Sequence, residues 1–252
     1  MVRGICKLCL QDKDLQESHL MPRSLYKKAR GSGSKGNQDP HILTVRGRRP
    51  TSHQITDHVL CRDCEGRFSK NGEDYVMPLV TRQDGQFPLL EKLKKIPPRV
   101  SGKDFSAYSV SETPDIDRAK LACFALSVFW RASVHKWEQA GGELVSIDLG
   151  KKYNEEIRKY LMDETPIPRN AAMSVAVCSD VESQVSFYMP SENRKVKDRA
   201  VGFGARGLFF MLRMSNTNAP WQKRLSMINN SEGWISVWNC LERGVWKLGD
   251  GT

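Results

Sequence analysis

This sequence predicts an α+β protein in two parts. A small N-terminal unit is tied by a metal site, and a larger α+β domain follows, with a buried long helix and C-terminal strands. Three observations carry that prediction. Two Cys-x2-Cys pairs, Cys6/Cys9 and Cys61/Cys64, bracket a stretch of short strand-like segments. The run Leu121, Ala122, Phe124, Ala125, Val128, Phe129 and Ala132 is apolar on most of a helical surface, which marks a buried helix. The last third of the chain carries four short strand-like runs bounded by polar or glycine-containing stretches.

The elements follow in order. Leu15 to Leu20 reads as a strand running into Pro22, and proline at a first helical position favours a short helix through Arg30. Gly31-Ser32-Gly33-Ser34-Lys35-Gly36-Asn37 has the composition of a flexible tongue. A strand from Ile42 to Arg46 turns at Gly47, and another from Gln54 to Leu60 delivers the chain to the second cysteine pair. A helix from Glu65 to Phe68 begins after Cys64. These elements make residues 1–75 the metal-tied unit.

Residues 76–114 form a connecting segment with a short helix at Phe87–Leu93, ended by Pro97-Pro98. The second domain, 115–252, opens on the long helix. Asp115 or Asp117 caps it, and Gly141-Gly142 stops it near Ala140. Tyr153–Met162 is a further helix, and strands are expected at Ser174–Cys178, Val185–Met189, Leu208–Met214 and Trp234–Trp238. Gly202-Phe203-Gly204-Ala205-Arg206-Gly207 lacks the spacing of a phosphate-binding loop and reads as a bend or bulge before the strand that follows.

Composition narrows the classes. In 252 residues, 39% are hydrophobic, with six Trp and nine Phe, enough for a real core. No run of about 18 apolar residues exists to span a membrane, and Met1 to Cys9 lacks a signal-peptide core. Four of the seven cysteines have metal spacing, while Cys123, Cys178 and Cys240 are scattered as buried thiols would be. That usage suits a reducing, cytoplasmic setting, with no membrane partner. The formal charge is +10, and its placement is uneven. Between His19 and His53 stand Arg23, Lys27, Lys28, Arg30, Lys35, Arg46, Arg48 and Arg49 against the single acid Asp39, a net +7. A polyanion is the natural partner of such a segment, because each neutralised phosphate releases counterions.

Two Cys-x2-Cys turns aim four thiolates at one ion, so Cys6, Cys9, Cys61 and Cys64 are expected to hold a structural Zn2+. His19 lies between the pairs. Phosphodiester hydrolysis needs a base near neutral pH, which histidine supplies, and a metal to offset charge on the leaving oxygen. Within the sequence Glu65 to Asp74, Arg67 and Lys70 could meet phosphate, and Glu73 and Asp74 could bind metal. Phe129-Trp130-Arg131 reads as packing, with the arginine reaching a partner. Of the remaining histidines, His41, His53, His58 and His135, only His58 has a suggestive position.

The pattern Cys-x2-Cys, a strand ending in Ser18-His19-Leu20-Met21-Pro22, then Leu60-Cys61-x2-Cys64 and a helix, resembles the zinc-stabilised HNH endonucleases, also called ββα-metal or His-Me finger nucleases. The resemblance covers Cys6 to about Glu73. It implies a ββα-metal, treble-clef-like fold for the first unit, a structural zinc, His19 as general base and a catalytic Mg2+ or Mn2+. The chain departs from the family pattern at three places. Ser18 stands where the family carries aspartate, and Glu65 stands where it carries asparagine or histidine. Thr56 takes the place of the middle asparagine, with Asp57 and His58 close by. Glu65 can bind magnesium, since hard cations prefer carboxylate oxygen.

The resulting expectation is a metal-dependent endonuclease with His19 and Glu65 as catalytic residues. Arg23, Lys27, Lys28, Arg46, Arg48, Arg49 and Arg67 would contact nucleic acid, DNA favoured over RNA. The alternative is a catalytically inactive zinc-finger module that binds nucleic acid or a protein partner. Membership of a larger protein complex fits either.

Overall fold

β1 (Val2–Ile5) and β2 (Asp12–His19) pair antiparallel across the first cysteine turn. That turn closes tightly: Leu10 donates its N–H to the Cys6 carbonyl at 2.9 Å and takes a left-handed φ of 61° to do so. α1 (Arg23–Ala29) follows directly after Pro22, and it buries Leu25 and Tyr26. Next come β3 (His41–Thr44) and β4 (Gly47–Pro50), then β5 (Thr56–Cys61), which pairs antiparallel with β2. Gly47 is therefore the first residue of a strand rather than the turn itself. The first sheet has the order β1-β2-β5. The computed structural model describes residues 2–29, 41–44, 47–50, 54–82, 84–113, 115–139, 142–179, 186–192, 199–215 and 225–238. The tongue at 31–37, Arg46, His53 and Cys240 lie outside the described residues, as do the side chains of Lys27, Lys28, His41, Arg48 and Arg49.

α2 (Arg62–Phe68) begins before Cys64, earlier than the sequence suggests, so that Cys64 sits in its first turn. It runs without a break through a π-helical turn, Ser69–Glu73, into α3 (Asp74–Val76) and a 3-10 turn, Met77–Leu79. The wide turn brings Gly72 against the next helix. A Cβ there would lie 2.8 Å from the Phe124 Cα, so only glycine allows this approach.

α4 (Pro88–Leu93), β6 (Val100–Ser101) and β7 (Phe105–Ser109) lead to α5 (Arg118–Val134). Asp117 caps α5 by accepting the Lys120 N–H at 3.0 Å. Residues on every side of it are buried, as its composition requires. The helix stops at Val134 and does not continue to Ala140. Trp137 turns back, and its indole N–H donates to the Arg131 carbonyl at 2.9 Å, satisfying one acceptor that a helix end leaves open. His135 is extended, and its ring meets Asp57.

β8 (Trp137–Glu138) and β9 (Leu144–Val145) form a small ribbon, followed by α6 (Gly150–Leu161). β10 (Ala171–Cys178), β11 (Ser186–Glu192), β12 (Arg199–Ala205), β13 (Leu208–Met214) and β14 (Trp234–Trp238) complete the chain. β12 corrects the sequence reading of its glycine-rich run. Gly204 lies under the Phe209 ring of the neighbouring strand, and Arg206 and Gly207 make the two-residue turn with φ of 50° and 86°.

The large mixed sheet has the order β4-β3-β11-β12-β13-β10-β14-β7-β6. Two of its pairings, β3 with β11 and β10 with β14, are parallel. It draws β3 and β4 from the first 75 residues, β6 and β7 from the connecting segment, and the rest from beyond residue 115. α5 lies over it, with Phe124 and Phe129 packed on Phe203 of β12. One buried cluster runs from Cys6 to Val237, so the unit that carries the four cysteines and the large sheet share a core. Among the described residues no helix is long and apolar enough to cross a membrane.

Candidate functional site

The cysteines come first because their geometry is the plainest. The turn Cys6–Cys9 and the junction of β5 with α2 bring four sulfurs within 4.8 Å of one another. Cys9 Sγ and Cys61 Sγ are 3.9 Å apart. A tetrahedral site with Zn–S bonds near 2.3 Å has sulfur–sulfur edges of about 3.8 Å. The cluster is therefore able to hold a metal such as zinc. Cys6, Cys61 and Cys64 are buried, and the Cys61 N–H donates to Cys6 Sγ at 3.3 Å. The Cys64 thiol donating to Cys6 pulls the Cys6 thiol down to about 4, against the effect of burial, and the same interaction pushes Cys64 up. A cation bound here would displace the protons of thiols crowded in this way. Cys178 is buried and Cys123 is half-buried; burial pushes the Cys123 thiol up to about 11, as befits an inert core group.

Toward the far end of β2 its partner strand, β5, is bulged. Gln16 pairs with Leu60, but Glu17 pairs with His58, leaving Val59 unmatched. The bulge turns Ser18 inward, fully buried, while Glu17 is exposed. Ser18 Oγ accepts the Leu60 N–H at 3.0 Å, a bond that the bulge makes available. His19 ends the strand, half-buried, with its Nε2 2.8 Å from Gln54 Oε1. An amide oxygen there accepts the ring N–H. This orientation of the amide assigns the proton to Nε2 and leaves the Nδ1 lone pair available.

Glu65 stands on α2 next to Cys64, and its Oε1 is buried with no hydrogen-bond partner among the described residues. Burial pushes its carboxyl above the usual range. Arg131, then the Ser18 hydroxyl, and last His19 oppose that, while Glu73 adds to it. His19, Glu65, Glu73 and Arg131 thus lie within electrostatic reach of one another. The Arg131 guanidinium, 1% exposed, donates to the His19 carbonyl at 2.7 Å and to Glu73 Oε1 at 2.9 Å, and lies 5.2 Å from the Phe68 ring centre. Glu73 is therefore ion-paired, while Glu65 keeps a free oxygen.

The other expected residues fall elsewhere. Arg67 pairs with Asp163, and Arg23 is exposed at the start of α1. His58 lines an open groove of about 870 Å³ with Asp12, Lys13, Glu17, Arg62 and Asp63; His19 does not line it. Asp57 meets His135 Nε2 at 2.8 Å and accepts the His58 N–H at 2.7 Å. Burial works against ionisation of Asp57, but the His58 N–H and the His135 ring together hold it below the usual range.

Gln54 and the His135–Asp57 pair were not anticipated. Gln54 lies two residues before β5 begins, in a segment without motif character, and His135 carries no local signal at all. No protein family, curated protein or solved structure matches the chain in comparison.

Proposed function

We propose that this protein is a metal-dependent endonuclease of the HNH type, hydrolysing phosphodiester bonds in nucleic acid, with DNA as the favoured substrate. The reading takes β2, β5 and α2 as the ββα unit, the four cysteines as a structural zinc site, and His19 as the general base. The observation that carries it is the buried, unpartnered Glu65 Oε1 within electrostatic reach of His19 on the frame that the cysteines close.

A water positioned by His19 would lose its proton to Nδ1, because Gln54 keeps the other nitrogen protonated. Glu65 supplies a hard oxygen ligand for Mg2+ or Mn2+. One carboxylate suffices for such an ion when phosphate oxygens and water complete its shell. When bound, the ion offsets negative charge on the phosphate and the leaving oxygen. The exposed Arg23 and the basic residues around β4 would meet the backbone phosphates.

A second reading is a zinc-finger module that binds nucleic acid or protein and cleaves nothing. Ser18 favours it: the position before the histidine is fully buried and carries a hydroxyl that accepts the Leu60 amide, not a metal-binding carboxylate. Cleavage assays on plasmid DNA and structured RNA with Mg2+ or Mn2+ separate the two. His19→Ala is expected to lower kcat by about 100-fold or more while leaving zinc content and nucleic-acid binding intact. Binding without cleavage by the wild-type protein selects the second reading.

A further inference from the structure

We propose that Arg131 is a positioning residue for the His19 site: its guanidinium, supplied by α5, sets the spacing between the strand that carries His19 and the helix that carries Glu65. The proposal rests on the reading of those two residues as the reacting pair.

The argument starts from what the guanidinium touches. Nη1 donates to the His19 carbonyl at 2.7 Å, at the last residue of β2. Nη2 donates to Glu73 Oε1 at 2.9 Å, in the π-helical turn that continues α2. Its Cζ lies over the Phe68 ring, 5.2 Å from the ring centre, three residues along α2 from Glu65. Nε is held by the Ser127 carbonyl of its own helix at 3.3 Å. One rigid group therefore contacts the strand end, the helix and its continuation at once.

Stability alone does not account for a charge at this place. A buried ion pair contributes little net stability, and apolar side chains of similar size often serve as well or better. What an apolar side chain cannot do is hold a carbonyl oxygen and a carboxylate at fixed distances from each other. The arginine fork does so, because its donors lie in one plane at set angles. Nothing within β2, β5 and α2 reaches the His19 carbonyl in this way among the described residues. The site is thus complete only with the side chain of α5.

The test uses the full chain, zinc-loaded, and its Arg131→Met and Arg131→Lys variants. The ring nitrogens of His19 are followed by NMR, which reads the tautomer and the Nε2–H bond to Gln54, and cleavage is measured as kcat and KM. Arg131→Met is expected to shift the His19 ring signals. It should lower kcat by about 100-fold, as a misplacement near 1 Å would, with KM for nucleic acid within about twofold. Arg131→Lys, which keeps a cation on Glu73 but not the fork, should fall between Met and wild type. A folded, zinc-loaded Arg131→Met protein with unmoved His19 signals and full kcat would overturn the proposal. If Arg131→Met does not fold, the comparison of Arg131→Lys with wild type decides it by the same readouts. Absence of cleavage by the wild type sinks the nuclease reading instead, and the ring signals then decide the positioning claim by themselves.

Discussion

At one end of the β2–β5–α2 frame, four thiols meet through two short turns. At the other, His19 is kept in place by Gln54, 35 residues along the chain, and by Arg131, 112 residues along it. The cysteine end is a local construction repeated twice, joined by a single antiparallel pairing. The histidine end depends on a helix from another part of the chain and on the approach that Gly72 allows. Two ends of one small frame, a few residues apart, thus have different sources of rigidity. Ligand bonds can hold the first with little core, whereas the second is only as rigid as the packing of α5 against the π-helical turn.

The largest effect should come from breaking the cysteine end. Cys61→Ser, or removal of metal by a strong chelator, should cost several kcal/mol of the roughly 10–16 kcal/mol that structural zinc can contribute to a small unit. Metal analysis of the wild type should return close to one zinc per chain, and the variant should return far less. A metal-free protein with unchanged thermal unfolding would show that the cluster holds no structural ion.

Next in size is the histidine end. Gly72→Ala places a methyl group against the Phe124 backbone. It should cost about 1–3 kcal/mol by overpacking, while zinc content stays at the wild-type level. Loss of zinc in that variant would show that the two ends are one cooperative unit.

Glu65→Gln sharpens the comparison in the opposite direction. Burial raises the folded-state pKa of Glu65 above its unfolded value, so the native state binds the proton more tightly. Stability therefore falls as pH rises through the interval between those two values, and the ionised carboxylate is a net cost at neutral pH. Without divalent metal, Glu65→Gln should raise stability at neutral pH, seen as a higher Tm. The gain should vanish at acidic pH, and the same variant should raise the magnesium requirement for cleavage. A Gln variant less stable than wild type at pH 7 would mean that Arg131 outweighs desolvation at this carboxyl.

The smallest effect belongs to the His135–Asp57 pair, which is largely exposed on the Asp57 side. Asp57 has its folded pKa depressed, so its contribution is present above the unfolded value near 4 and is lost as pH falls through the folded value. Asp57→Asn should cost less than about 1 kcal/mol at pH 7 and nothing once pH is below that window. Denaturant unfolding at the two pH values checks it.

Much of the cysteine end was legible in the residues. Cys-x2-Cys spacing fixes a turn, and the helix after Cys64 needs only local geometry; its start at Arg62 was missed because α2 has no side-chain N-cap to announce it. The burial of α5 was legible from its composition, but its end was not. Gly141-Gly142 is the obvious stop signal, yet the Trp137 indole closes the helix at Val134 by a bond that no pattern encodes. β12 was hidden because its glycines read as a bend, when Gly204 makes room for Phe209 of the next strand.

By itself, then, the sequence determined the four-thiol cluster, the strand that ends in His19, the buried long helix and the mixed α+β class. All of these follow from residues near one another in the chain, whose spacing sets local geometry. The tertiary structure alone decided that β3 joins β11 in parallel, that Glu73 is spent on Arg131 while Glu65 keeps a free oxygen, and that the His19 carbonyl is bound from α5. Such pairings depend on which donors and acceptors remain unsatisfied once the core has closed, and a buried guanidinium takes the acceptors that packing leaves within its reach.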